Sequence, residues 1–324
     1  MAGVAFLFPG QGSQKIGMGK ALCDEWPEAR AVFAEADAAL GFSLSQLCFA
    51  GPEPELTLTA NAQPAILTTS IAALRVLEKE TGLHPVAVAG HSLGEYSALV
   101  AADALDLGDA ARLVHLRGRF MQDAVPPGVG AMAAVIGLGQ SDVEAVCAEA
   151  TVAAADEVVS PANFNGGGQV VIAGHKTAVD RACVAAKARG AKMAKLLAVS
   201  APFHCALMRP AADRLAAELS KVTFRSPRVP VISNVKAAPY QDAALVREFL
   251  IRQVTSPVRW EESVLYLASQ GINEGFEVGA GAVLAGLIKR IAPGLTVRPA
   301  GDPAAIHTLR QAADGASRQE ARHG

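Results

Sequence analysis

Val86-Ala87-Val88-Ala89-Gly90-His91-Ser92-Leu93-Gly94-Glu95-Tyr96 is the stretch that decides how the chain folds. Residues 85–89 are an unbroken apolar run, the pattern of a strand buried on both faces of a parallel sheet. Gly90, Ser92 and Gly94 then make a G-x-S-x-G turn, and residues 95–104, rich in Ala, Leu and Val, read as a helix. A serine on such a strand-to-helix corner presents its hydroxyl on a strained backbone. The flanking glycines leave space where a side chain would meet the neighbouring strand or helix. The helix behind aims its first N–H groups and its positive dipole end at the same spot, where a tetrahedral oxyanion needs donors. Ser92 is therefore a candidate nucleophile; the plainer alternative is an ordinary serine in a glycine-rich turn.

Outward from the elbow, the composition narrows the classes. The chain has 324 residues, 51% hydrophobic and 19% charged, enough for a large core and for two domains or one with an insertion. Its formal net charge of -2, with no Lys/Arg block, speaks against a nucleic-acid partner. Five scattered cysteines without a C-x-x-C pair read as reduced thiols rather than a disulfide frame or a metal site. No signal-peptide pattern and no bilayer-length apolar run occur, so a cytoplasmic protein with no membrane contact is expected.

The remaining elements follow from periodicity. Residues 4–8 read as a buried strand ending at Pro9-Gly10-Gln11-Gly12-Ser13-Gln14, a loop at the strand's carboxyl end, where α/β sheets gather ligands. G-x-G-x-x-G spacing is absent from it, which argues against a nucleotide. Helices are expected up to residue 40, then from Pro64, placed in a first turn, to about 81. A helix over 109–123 carries Arg112, Arg117 and Arg119; periodicity leaves open whether any of them grips an anion.

Residues 128–199 have their own rhythm. A strand over 131–136 precedes a helix over 141–150 with Ser141 as cap and Glu144 as its capping-box partner. Strands over 158–164 and 169–173 flank Asn165-Gly166-Gly167-Gly168, a hairpin signal. A helix over 177–189 and a strand over 193–199 complete βαββαβ, the ferredoxin-like order. The expectation is an α/β fold: a large domain of residues 1–127 and 200–324 around a parallel sheet, with a small inserted domain of residues 128–199. Beyond the insert, the pattern predicts a helix to about 220, a strand over 228–233 and a helix over 242–253. A helix restart over 255–260, a strand over 273–278, a helix to 291 and a strand over 295–298 follow. From about residue 312 the chain reads as a polar tail.

A serine nucleophile needs a base within hydrogen-bond reach. Of the seven histidines, His84 lies at the wrong end of the elbow strand, and His91 is adjacent to Ser92 with its side chain directed away. His175 falls in the insert, His323 in the tail, and His115 and His307 in helix-like stretches. His204, at the re-entry into the large domain, is the best-placed candidate, beside the alternative of a structural histidine. No acidic third member can be singled out.

Taken together, Phe8–Gln14, Gln63-Pro64-Ala65, Gly90–Tyr96, Arg117, Asn163-Phe164-Asn165 and Phe203-His204 resemble the malonyl-CoA:acyl-carrier-protein transacylases, in order and over nearly the whole chain. The resemblance implies an α/β-hydrolase-like large domain with a ferredoxin-like insert. It implies malonyl transfer from malonyl-CoA to the phosphopantetheine thiol of an acyl carrier protein, by a ping-pong route through a serine ester. It implies no cofactor, no metal, and a monomer. Residue by residue, it makes Ser92 the nucleophile and His204 the base, with the Gln253 carbonyl orienting the imidazole. The N–H groups of Gln11 and Leu93 become the oxyanion hole, Arg117 the clamp on the malonyl carboxylate, and Gln63 and Asn163 pocket residues. Phe203, a bulky neighbour of the base, goes with malonyl rather than a methyl-branched group. Gly279-Ala280-Gly281-Ala282 departs from the Gly-Pro-Gly-Lys-like turn common in the family. A discrete acyltransferase of a polyketide synthase or a malonate decarboxylase system, and a serine thioesterase or esterase, are the alternatives.

Overall fold

Nothing polar in β1 (Val4–Phe8) needs water, and its last four residues are fully buried. It forms the middle of a sheet in a computed structural model that describes residues 3–152, 157–240 and 242–323. The other strands are β2 (Pro85–Gly90), β3 (Gly130–Ile136), β4 (Val159–Gly166), β5 (Gln169–His175), β6 (Met193–Leu196), β7 (Val231–Ile232), β8 (Glu274–Glu277) and β9 (Thr296–Pro299). The large sheet runs β7-β2-β1-β8-β9, every pair parallel. The carboxyl ends of β1 and β2 therefore lie side by side, and the His91 N–H bonds the Phe8 carbonyl at 3.1 Å. This contact sets the loop after β1 against the elbow after β2.

The elbow closes because two of its positions lack a side chain. A Cβ on Gly90 would lie 1.9 Å from the Gly94 carbonyl, and one on Gly94 would lie 2.1 Å from that of Phe8. The helix behind it, Gly94–Ala101, is shorter than the pattern suggests, because Asp103 turns the chain at φ 57.

The helix Thr59–Thr81 begins before the expected start, so Pro64 lies inside it rather than in its first turn. Tertiary contacts accommodate both ends of the problem. The Gln122 side chain accepts from the Ala60 N–H at 2.8 Å, and the Ala60 carbonyl, deprived of Pro64's missing N–H, accepts from His115 Nδ1 at 2.9 Å.

The second sheet is antiparallel, in the order β4-β5-β3-β6. The helices Gln140–Val152 and Lys176–Ala188 make its βαββαβ sequence, the ferredoxin-like arrangement expected. One face packs with these helices around Val135, Val143, Phe164, Ile172 and Val179. Met132, Ala162, Val171 and Ala173 turn the other way and join the main apolar cluster.

Several boundaries differ from expectation. The first helix of this unit starts at Gln140, so Ser141 lies within it and does not cap it. β6 ends at Leu196, with the Leu197 N–H still bonded to the Met132 carbonyl at 2.9 Å, and residues 197–199 line a cavity. β7 is only two residues long. The expected restart over 255–260 is extended, since Val258 donates to Ala162 and accepts from Phe164, both at 2.9 Å, and the helix begins at Trp260. The chain closes with a helix, Pro303–His323, where a polar tail was expected. His307 stacks on Trp26, and Arg310 reaches Glu80 at 2.7 Å, which ties that helix to the body.

Candidate active site

Ser92 has φ 52, the left-handed region that costs a non-glycine residue about 1 kcal/mol. Both of its backbone groups are held there by side chains. Its N–H donates to Asn234 Oδ1 at 2.7 Å, and its carbonyl accepts from Gln253 Nε2 at 3.0 Å. Asn234 Nδ2 also donates to the Gly90 carbonyl at 2.7 Å, so one amide side chain brackets the turn.

The Ser92 hydroxyl is 2.7 Å from Nε2 of His204. His204, also left-handed at φ 61, has its Nδ1 2.8 Å from the Gln253 carbonyl. A carbonyl only accepts, so Nδ1 carries the proton, and the bare Nε2 faces the serine O–H. Burial, then the charge of Arg117, push His204 down to about 3. The imidazole is therefore neutral at physiological pH and free to take a proton. Among the described residues, no carboxylate bonds it.

Arg117 projects from the helix Leu107–Asp123 and is 2% exposed. It donates to Gln63 Oε1 at 2.8 Å, to Ser92 Oγ at 3.1 Å and to Gln253 Oε1 at 3.0 Å. All three partners are neutral, and among the described residues its buried Nε has no partner. Gly118 lets this helix approach: a Cβ there would lie 2.5 Å from the Thr59 carbonyl. A buried guanidinium whose protein acceptors are neutral gains most from a carboxylate or other anion as a partner.

Eight of the nine expected site residues line one cavity of about 220 Å³: Gln11, Gln63, Ser92, Leu93, Arg117, Asn163, Phe203 and His204. The ninth, Gln253, is fully buried behind it, bonded as described. Among the described residues, no acceptor meets the backbone N–H of Gln11 or of Leu93. A second cavity of about 740 Å³ adjoins the first through Gln11, His91, Asn163 and Leu197, with Lys289 and Arg290 along its wall. No group of three or more His, Cys, Asp or Glu among the described residues is arranged to hold a metal.

The acyl transferase domain family matches residues 5–306. The malonyl CoA-acyl carrier protein transacylase of Escherichia coli K12 is 52% identical over 306 residues, covering 94% of this chain and 98% of that protein. The chain belongs to the malonyl CoA-acyl carrier protein transacylase family.

The Bacillus subtilis 168 transacylase is 48% identical, over 98% of this chain and all of its own length. Among solved structures, the transacylase of Coxiella burnetii superposes with a TM-score of 0.92 at 46% identity, covering 95% of this chain and 97% of that one. A malonyl-transacylase solved in complex with a type II PKS acyl-carrier protein reaches 0.91 at 48%, covering 95% and 99%.

Sequence reasoning passed over the residues that brace the transacylase pocket. Asn234 follows a strand of the parallel sheet whose end the pattern places beside it, but nothing local marks its side chain as a brace. Tyr240, whose hydroxyl donates to the buried Glu95 carboxyl group behind the elbow, gives no local signal. His91 bonds Asn165 Oδ1 at 2.9 Å and borders both cavities. Glu95 was legible only as part of the elbow motif.

Proposed function

We propose that the chain transfers a malonyl group from malonyl-CoA to the phosphopantetheine thiol of an acyl carrier protein, through a malonyl ester on Ser92. One observation carries the reading: the Ser92 hydroxyl lies 2.7 Å from His204 Nε2 and 3.1 Å from a buried guanidinium. The hydroxyl and its base supply acyl transfer; the guanidinium supplies the choice of an acyl group that ends in a carboxylate.

His204 takes the Ser92 proton as the oxygen attacks the thioester carbonyl. The oxyanion points at the N–H groups of Gln11 and Leu93, donors of a kind worth on the order of 10²–10³-fold each. The imidazolium returns its proton to the departing CoA sulfur, leaving the ester and a neutral His204. The carrier thiol then repeats the steps in reverse, giving its proton to His204 as it attacks. Arg117 pairs with the far carboxylate of the malonyl group, whose planar geometry its fork matches. That carboxylate also offsets the guanidinium charge that depresses His204, so the right acyl group makes the base stronger as it binds. Gln63 and Asn163 contribute polar wall. Phe203 fills the space an α-methyl branch would take. No step calls for a cofactor.

We also read residues 128–199 as an insert between 1–127 and 200–324. The support is that the apolar cluster of the antiparallel sheet's helical face draws only on residues inside that span. A cytoplasmic monomer is the setting we favour. All five cysteines are free, which suits a reducing compartment, and no described helix is long and apolar enough to cross a membrane.

The test is to mix the protein with malonyl-CoA and a panel of holo-carrier proteins from fatty-acid and polyketide systems, and to follow carrier mass. Malonylated carrier is expected, with none formed by Ser92→Ala. The carriers that charge name the pathway. Release of malonate to water at the rate of CoA release would mark a thioesterase instead.

A further inference from the structure

Glu95 is 1% exposed, one residue into the helix behind the elbow. Its carboxyl group is met by three donors. Oε1 accepts from the Tyr240 hydroxyl. Oε2 accepts from Gln253 Nε2 at 2.6 Å and from the Asn234 N–H at 3.2 Å.

Two of these donors are the residues that hold the reacting groups. Gln253 offers its backbone carbonyl to His204 and its side-chain oxygen to Arg117. Asn234 holds the Ser92 N–H and the Gly90 carbonyl. The Gln253 amide has a donor end and an acceptor end. Only with Nε2 toward Glu95 does Oε1 face the Arg117 guanidinium. A proton on Glu95 finds no acceptor in this ring unless Tyr240 turns its hydroxyl or Gln253 turns its amide. A turned amide would set its NH₂ against the Arg117 cation.

We propose that Glu95 is a positioning residue for acyl transfer: as a carboxylate it holds Gln253 and Asn234 in the arrangement that serves His204, Arg117 and Ser92, and on taking a proton it releases them. The inference rests on the acyl-transfer reading above. Glu95 thus does, one residue removed, what the acid of a serine triad does by touching the histidine.

The titratable groups around Glu95 are Tyr240, Tyr96 on its own helix, and Arg117 on the neighbouring one. Burial pushes both tyrosines up, so they stay protonated, and Arg117 stays charged. Burial lifts the Glu95 carboxyl to about 7 against the pull of its donors and of Arg117. His204 is held near 3, and burial also lowers His91. Across the physiological range, the group in this site that changes charge is Glu95.

The experiment is the pH dependence of single-turnover CoA release from malonyl-CoA, which isolates the first half-reaction from the acceptor thiol. In the unaltered protein the rate is expected to fall on the acid side with a midpoint near 7. Glu95→Gln keeps the shape and cannot ionise; it should be about tenfold slower at the alkaline plateau and flat over roughly pH 5.5–8. Tyr240→Phe removes one donor to the anion and should move the midpoint upward by about half a pH unit or more. An acid limb left in place in Glu95→Gln, or unmoved in a Tyr240→Phe protein of unchanged melting temperature, overturns the proposal. If Glu95→Gln does not fold, the Tyr240→Phe profile decides alone. Failure of the acyl-transfer reading would look different: no CoA released by the unaltered protein at any pH, or CoA released with all the malonate lost to water and none passed to a carrier.

Discussion

Arg117 shows how a single residue divides substrates. It is buried, and its acceptors among the described residues are all neutral. A malonyl carboxylate gives it a charged partner; an acetyl group leaves it as it was. Charge-assisted hydrogen bonds contribute about 1.5–3 kcal/mol each. Arg117→Ala should therefore lower kcat/KM for malonyl-CoA by roughly 10²-fold or more, and for acetyl-CoA by less than about tenfold. The smaller loss reflects its bonds to Ser92 and Gln253. Parallel assays with the two thioesters check this, and equal losses would contradict the clamp. From sequence, Arg117 stood in a helix beside Arg112 and Arg119, and periodicity did not choose among them. Burial separates the three in the structure, since Arg112 and Arg119 are exposed. Only family resemblance made that distinction in advance.

At the scale of elements, legibility followed locality. The elbow was readable because strand, turn and helix signals fall within a dozen residues and the glycines have a steric reason. The βαββαβ unit was readable because its hairpin and helix stops are local too. Elements shaped by distant partners were not. The helix containing Pro64 starts five residues early because Gln122 and His115, on another helix, take over groups its first turn cannot satisfy. Likewise, residues 256–259 are drawn out by bonds to β4 that no local pattern encodes. His115→Ala leaves the Ala60 carbonyl without its donor. It should cost about 1 kcal/mol of stability, read from denaturant unfolding, with transfer activity unchanged. A loss of activity matching that of Arg117→Ala would place His115 in the chemistry instead.

For the whole molecule, two buried groups of the site tie stability to pH with opposite sign. Glu95 rises from an ordinary 4.5 to about 7. Between those values the unfolded chain ionises it and the native one does not, so this group's contribution falls as pH rises. His204 drops from 6.5 to about 3. Between those values the unfolded chain takes the proton and the native one does not, so its contribution falls as pH drops. In the unaltered protein the two largely cancel between 4.5 and 6.5. Glu95→Gln should expose the histidine and make stability fall on acidification through that window. His204→Gln should make that fall less steep than in the unaltered protein, the lowered His91 keeping part of it. Urea unfolding at about pH 5 and pH 6.5 reads both slopes, and slopes displaced from the unaltered protein's in the same direction would contradict the burial assigned to one of the groups.

The account depends on a covalent intermediate at one oxygen. The most direct measurement is the mass of the protein quenched in acid after brief exposure to malonyl-CoA alone, followed by peptide mapping. The expected result is one added malonyl group on the peptide holding Ser92, lost when a holo-carrier protein is supplied before the quench. An unmodified protein that nonetheless charges the carrier, or a malonyl group mapped to any other residue, would contradict it.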